Sequence, residues 1–134
     1  MTGNSGTPLA KKLGIKVNQR IALVNAPPDM AEQLGPLPAG ATLLPKLQQT
    51  LDLILLFAQN QKGLAANFAK LAARLASNGM LWVAWPKRSS RIATDLSFDV
   101  VQKIGLAAGL VDNKVCAISD VWSGLRFVIR IKDR

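Results

Sequence analysis

The chain has 134 residues, 49% of them apolar, enough for one hydrophobic core and too few for two domains. With no histidine, no tyrosine and a single cysteine, Cys116, it excludes histidine-based triads, histidine-ligated zinc or haem, intramolecular disulfides and cysteine-cluster metal sites. Seventeen Lys and Arg against eight Asp and Glu leave a formal charge of +9, which favours anionic partners: a small anion, an acidic protein face or nucleic acid.

Residues 1–6 are small and polar and read as a disordered tail ahead of a single domain over 7–134. They lack the apolar run of a secretory leader. The longest unbroken apolar stretches, Leu53–Ala58 and Met80–Trp85, are far below the ~18 residues that span a bilayer, so a cytoplasmic protein without a membrane partner is expected. Thr7-Pro8 is a helix start, and Gly14 is placed to end that helix in the left-handed conformation, with Lys11 and Lys12 facing outward. Arg20–Asn25 is a short apolar run stopped by Ala26-Pro27-Pro28, which favours a strand. Asp29–Leu34 reads as a short helix and Ala41–Leu44 as a weak strand cut by Pro45.

Leu51–Ala58 is a strong strand with a polar turn, Gln59-Asn60-Gln61, at its exit. Over 62–77, Leu64, Phe68, Leu71 and Leu75 form one apolar helical stripe, with Asn67, Lys70 and Arg74 toward water and Asn78-Gly79 as the stop. Met80–Trp85 is the next strand. Thr94, Asp95 and Ser97 are all candidate caps for a helix that reaches Ala108 and stops at Gly109. Lys114–Ile118 and Leu125–Ile131 are strands joined by the loop 119–124, short enough for an antiparallel pair.

Runs apolar on both faces fit a parallel sheet covered on both sides by helices. The expected fold class is therefore α/β, a three-layer Rossmann-like domain whose mostly parallel sheet is closed by a C-terminal antiparallel hairpin. Its carboxyl edge, where open α/β sheets bind ligands, would collect Asn25, Asp29, Lys87, Arg88, Arg91, Asp95 and Trp122 as candidate ligand-binding residues, with Gln59, Asn60 and Asp120 nearby. Arginine forks beside an aromatic face suit phosphate or nucleotide recognition.

Parallel strands closed by an antiparallel last strand resemble the class I S-adenosylmethionine (SAM)-dependent methyltransferases. Leu13–Lys16 and Gln19–Asn25 sit where that family has its first strand and cofactor loop; Leu51–Leu55 is similar to its fourth strand, and Asn78–Val83 to the turn and fifth strand. The chain is shorter than such enzymes by at least one strand–helix unit between residues 45 and 51. Asn25–Asp29, Trp85-Pro86-Lys87, Ala93–Leu96 and Val121–Arg130 also resemble a small bacterial family known only as a domain of unknown function.

The methyltransferase resemblance implies a glycine-rich turn after the first strand and an acidic residue ending the second, the latter for ribose hydroxyls. Asn25-Ala26-Pro27-Pro28-Asp29 stands at the first place, where Pro27 and Pro28 fix φ, remove two N–H donors and are expected to block the turn by filling its space with their rings. Leu43-Leu44-Pro45-Lys46 stands at the second and carries no acid. The expectation is thus a non-catalytic domain, without a cofactor, that binds an anionic ligand or a protein partner at the carboxyl edge. Rival readings are a methyltransferase with an atypical cofactor loop, a nucleic-acid-binding module, and a homodimer formed through an uncovered sheet edge or an apolar helix face. Cys116, flanked by Val115 and Ala117, reads as a core residue because no histidine is present to activate it.

Overall fold

The computed structural model describes residues 7–45 and 50–134; the expected tail over 1–6 and Lys46 lie outside them. In chain order the elements are α1 (Leu9–Leu13), β1 (Arg20–Val24), α2 (Met30–Leu34), β2 (Thr42–Leu43), β3 (Leu51–Phe57), α3 (Gln61–Ala72), β4 (Leu75–Pro86), α4 (Phe98–Ala107), β5 (Leu110–Ala117) and β6 (Trp122–Ile129). The six strands form one sheet in the order β2-β1-β3-β4-β6-β5. The first four are mutually parallel, and β6 runs antiparallel to both β4 and β5. This is the Rossmann-like α/β domain with a closing antiparallel hairpin that the strand pattern predicts.

Alternation along the central strands builds two cores. Leu53, Leu55 and Phe57 of β3 point to one face, where they meet Leu13 of α1, Met30 and Leu34 of α2, and Trp82 of β4. Ile54 and Leu56 point to the other, against Leu64 and Phe68 of α3, Val101 of α4, and Phe127. A strand buried on both faces has no polar side to show, which is why β3 reads as an unbroken apolar run. Trp82 and Trp85, three residues apart, fall on opposite faces and fill one core each. The Trp82 indole Nε1–H donates to the Leu13 carbonyl at 2.9 Å, and the Arg126 guanidinium lies 5.7 Å from its ring centroid.

Local signals set most element ends. Gly14, at φ 86°, closes α1 with its N–H on the Lys11 carbonyl. The Asn60 side chain accepts from the Gly63 N–H and starts α3, and the Ser97 hydroxyl accepts from the Val100 N–H and starts α4. Asp95 does not cap the helix that follows it. Its carboxylate instead accepts from the Gln61 N–H at 2.8 Å, at the start of α3. Lys12 is not a solvated charge either, since its Nζ donates to the Ala117 carbonyl at 2.8 Å.

Tertiary contacts override the sequence pattern at three places. The apolar stripe predicts Leu75 in α3, but the helix ends at Ala72 and Leu75 pairs with Leu51 as the first residue of β4. The Leu51 N–H bonds to the Arg74 carbonyl at 2.8 Å, which draws the chain into the sheet. Asn78-Gly79 is then a bulge inside β4 rather than a turn before it: the register passes from Leu51↔Leu75 to Leu53↔Met80. A Cβ at Gly79 would lie 3.0–3.2 Å from three backbone carbonyl oxygens, so glycine permits the bulge. In the hairpin, β5 begins directly after Gly109 and β6 already at Trp122, which shortens the expected loop to the turn between Ala117 and Trp122. Both the Ile118 and Ser119 N–H groups donate to the Trp122 carbonyl, closing that turn.

Gly105, on the buried face of α4, gives a sharp test of the packing. A Cβ there would sit 2.0 Å from the Phe127 ring, and Phe127 is fully buried edge-on to Phe68 at 5.2 Å. Helix propensity favours alanine over glycine by about 1 kcal/mol, whereas forcing a methyl into a packed core costs about 1–3 kcal/mol. At a 2.0 Å approach the clash prevails, so Gly105→Ala is expected to lower unfolding free energy by about 1–2 kcal/mol in urea titrations. A stabilised variant would show that α4 slides away from Phe127.

Candidate functional site

The chain moves outward from β1 to β2 in one direction and from β3 to β4 in the other. Right-handed crossovers in opposite directions put α2 and α3 on opposite faces, as the two cores show, and leave a crevice between the carboxyl ends of β1 and β3. A cleft of about 460 Å³ stands there, within the usual range for a small-molecule site. Asn25, Ala26 and Pro27 form its wall beyond β1; Leu56, Phe57 and Ala58 form its apolar floor. Gln59, Asn60, Gly63 and Asn67 supply the side toward α3, and Trp122 closes it from β6. The Trp122 ring meets Phe57 edge-on at 5.0 Å.

The turn after β1 borders this cleft without filling it. Asn25 adopts φ 56°, the left-handed conformation that glycine serves in such turns and that asparagine tolerates better than other non-glycine residues. The Pro27 carbonyl accepts the Met30 N–H and opens α2, so the Pro27 ring forms part of the wall, while Pro28 is exposed and does not line the cleft. Two prolines therefore remove donors from the turn but leave the space open, contrary to the expectation that their rings occupy it. The second departure stands: Thr42, Leu43, Leu44 and Pro45, at and beyond β2, bring no carboxylate.

Among the described residues the lining is uncharged, in a chain of net charge +9. Its polar groups are the amides of Asn25, Gln59, Asn60 and Asn67. Two of them are held in place: Asn60 accepts from the Gly63 N–H at 2.6 Å, and the Asn67 Nδ2 donates to the Gly63 carbonyl at 3.0 Å. Asn67 is the residue that helix periodicity assigns to water. The spacing Asn60, Gly63, Asn67, a cap followed by one turn and then another, is the signal that places all three on one side of α3.

The expected carboxyl-edge residues fall into separate places. Asn25 and Trp122 line the first cleft. Arg88 and Arg91 line a second cavity of about 470 Å³, between the end of β4 and the start of α4, with Trp85, Thr94 and Phe98. Asp29 accepts from the Gln33 Nε2 at 2.6 Å on α2, Asp95 is engaged by Gln61, and the Lys87 N–H bonds to the Val121 carbonyl; none of these three lines either cavity. The Trp85–Pro86 bond is trans. Cys116 is half-buried, and burial raises its pKa against the opposing charges of Lys12, Lys114 and Arg126, which keeps the thiol protonated at neutral pH. Among the described residues no cluster of potential metal ligands and no helix long and apolar enough to cross a membrane is present.

Comparison with solved structures assigns the fold. A SAM-dependent methyltransferase from Aquifex aeolicus superposes with a TM-score of 0.62 at 13% identity, covering 87% of this chain and 85% of that one. Magnesium protoporphyrin IX methyltransferase from Synechocystis, with bound S-adenosylhomocysteine, gives 0.59 at 11% identity over 90% of this chain and 78% of its own. Fibrillarin from Aeropyrum pernix, with natively bound SAM, gives 0.57 at 16% identity over 95% and 71%. The chain has a Rossmann-like methyltransferase fold. No family model and no curated protein sequence matches it. These neighbours, together with the open cleft, overturn the expectation of a non-catalytic domain: the blocked cofactor turn on which that expectation rested is not blocked.

Proposed function

We propose that the protein is a SAM-dependent methyltransferase that holds its cofactor with neutral amides in place of a glycine-rich cradle. The observation that carries this reading is the open, uncharged cleft at the crevice between β1 and β3. The residues fit the group. Phe57, Ala58 and the Trp122 ring offer apolar and aromatic surface to an adenine, and the amides of Asn25, Gln59, Asn60 and Asn67 offer donors and acceptors to ribose hydroxyls and an amino-acid head. Among the described residues no lysine or arginine lines the cleft to repel a sulfonium, and an aromatic face attracts a cation. When bound, SAM supplies a methyl group on positive sulfur, to an acceptor whose lone pair forms the new bond while the old pair stays on sulfur. The chain's own part is to orient that group and to keep water from it: Asn60 and Asn67 are pinned to Gly63, and Trp122 is packed on Phe57.

A kinship with the small bacterial family of unknown function, and a cytoplasmic setting, belong to the same reading; Asn25–Asp29 and Val121–Arg130, two of the segments that carry the kinship, lie at this edge or start there. Calorimetric titration with S-adenosylhomocysteine and with SAM tests the proposal. Binding with Kd of roughly 1–100 µM is expected, near −6 to −8 kcal/mol. At a hundredfold excess over Kd the ligand should stabilise the fold by about 2.7 kcal/mol and raise the melting temperature by roughly 10 °C. No heat and no melting shift at millimolar ligand would remove the cofactor from this cleft.

A further inference from the structure

We infer that the second cavity receives the methyl acceptor, and that this acceptor is an anionic small molecule with an apolar body, its anionic group held by Arg88 and Arg91. The inference rests on the cofactor reading above and adds the substrate class. The two cavities share the carboxyl edge and are joined by a strut: the Thr94 hydroxyl, from the second cavity, donates to the carbonyl of Gln59, from the first, at 2.6 Å. Gln61 ties to the Asp95 carboxylate through its N–H and to the Asp95 carbonyl through its side chain, bracing the same junction.

Their chemistry is opposite. The first lining carries no charge, whereas the second presents two exposed guanidinium groups that make no hydrogen bond or ion pair among the described residues. Among the described residues no carboxylate lines the second cavity to neutralise them; Asp95, next in chain, is turned to the start of α3. Guanidinium forks match carboxylate, phosphate and sulfonate oxygens. The rest of the wall is apolar: Trp85 and Leu96 are buried at its base, and Ile92 and Phe98 are 36% and 38% exposed at its rim. The loop is set rather than slack. Arg91 is held at φ 62°, and the Ser90 hydroxyl both donates to the Lys87 carbonyl and accepts the Ile92 N–H. Strain kept at a non-glycine residue beside a cavity is a mark of functional sites.

The test uses two fluorescent probes, anilinonaphthalenesulfonate and its uncharged relative N-phenylnaphthylamine, on the full chain and on Arg88→Ala/Arg91→Asn, with asparagine chosen because it tolerates the left-handed backbone at 91. Both arginine side chains are exposed and unbonded, so the variant should melt as the wild type does. Expected are saturable binding of the sulfonate whether or not S-adenosylhomocysteine is present, at least about tenfold weaker binding by the variant, and unchanged binding of the uncharged probe. The variant should also titrate S-adenosylhomocysteine as the wild type does. Equal sulfonate affinity in both proteins, or displacement of the sulfonate by S-adenosylhomocysteine, would overturn the acceptor site with the cofactor reading intact. Failure of the wild type to bind S-adenosylhomocysteine would overturn the cofactor reading, and the acceptor role with it.

Discussion

Trp82→Ala is expected to lower the unfolding free energy by about 4 kcal/mol, within the range for removing a buried tryptophan from a packed core. Trp82 is fully buried where β4 crosses under α1, and the substitution both opens a cavity and strips the Leu13 carbonyl of its donor. A loss of that size is a large part of the total stability of a small domain. Trp82→Phe separates the two contributions. It keeps most of the ring volume and leaves the Leu13 carbonyl unpaired, for an expected loss of about 1–3 kcal/mol. Urea titrations with unchanged slope would read both values. If Trp82→Ala lost less than about 1 kcal/mol, α1 would not be anchored through this bond.

Trp122→Ala should weaken S-adenosylhomocysteine binding by about tenfold or more, and SAM binding by a larger factor because the sulfonium charge also loses an aromatic face. The residue closes the first cleft from β6 and packs edge-on against Phe57 in its floor. It is half-buried, so the accompanying loss of stability should stay below about 2 kcal/mol. Trp122→Phe should keep most of the affinity. Calorimetry on the three proteins separates the outcomes, and equal affinity in all three would place the adenosyl group elsewhere.

These expectations depend on features that differ in how far the chain alone reveals them. The amide cleft was half legible. Asn25, Gln59 and Asn60 stand at strand exits, where polar residues after apolar runs mark the carboxyl edge. Asn67 was not, because its helical position is compatible with water until the end of β1 is brought beside α3. The turn Asn25-Ala26-Pro27-Pro28 misled most. Residue types told correctly which donors are missing, but whether rings fill or border a space depends on where α2 and β3 hold the backbone.

By itself the sequence determined the elements that local forces specify: the doubly apolar strands β3 and β4, the stop at Gly14, a cap for α4 among Thr94, Asp95 and Ser97, and the α/β layering that follows from them. Only the tertiary structure decided that Leu75 leaves its helical stripe for β4, that Asn78-Gly79 is a bulge, and that the carboxyl edge holds two cavities of opposite character. The physical reason is range. Periodicity and capping act over a few residues, whereas strand pairing and cavity shape are set by contacts between residues far apart in the chain.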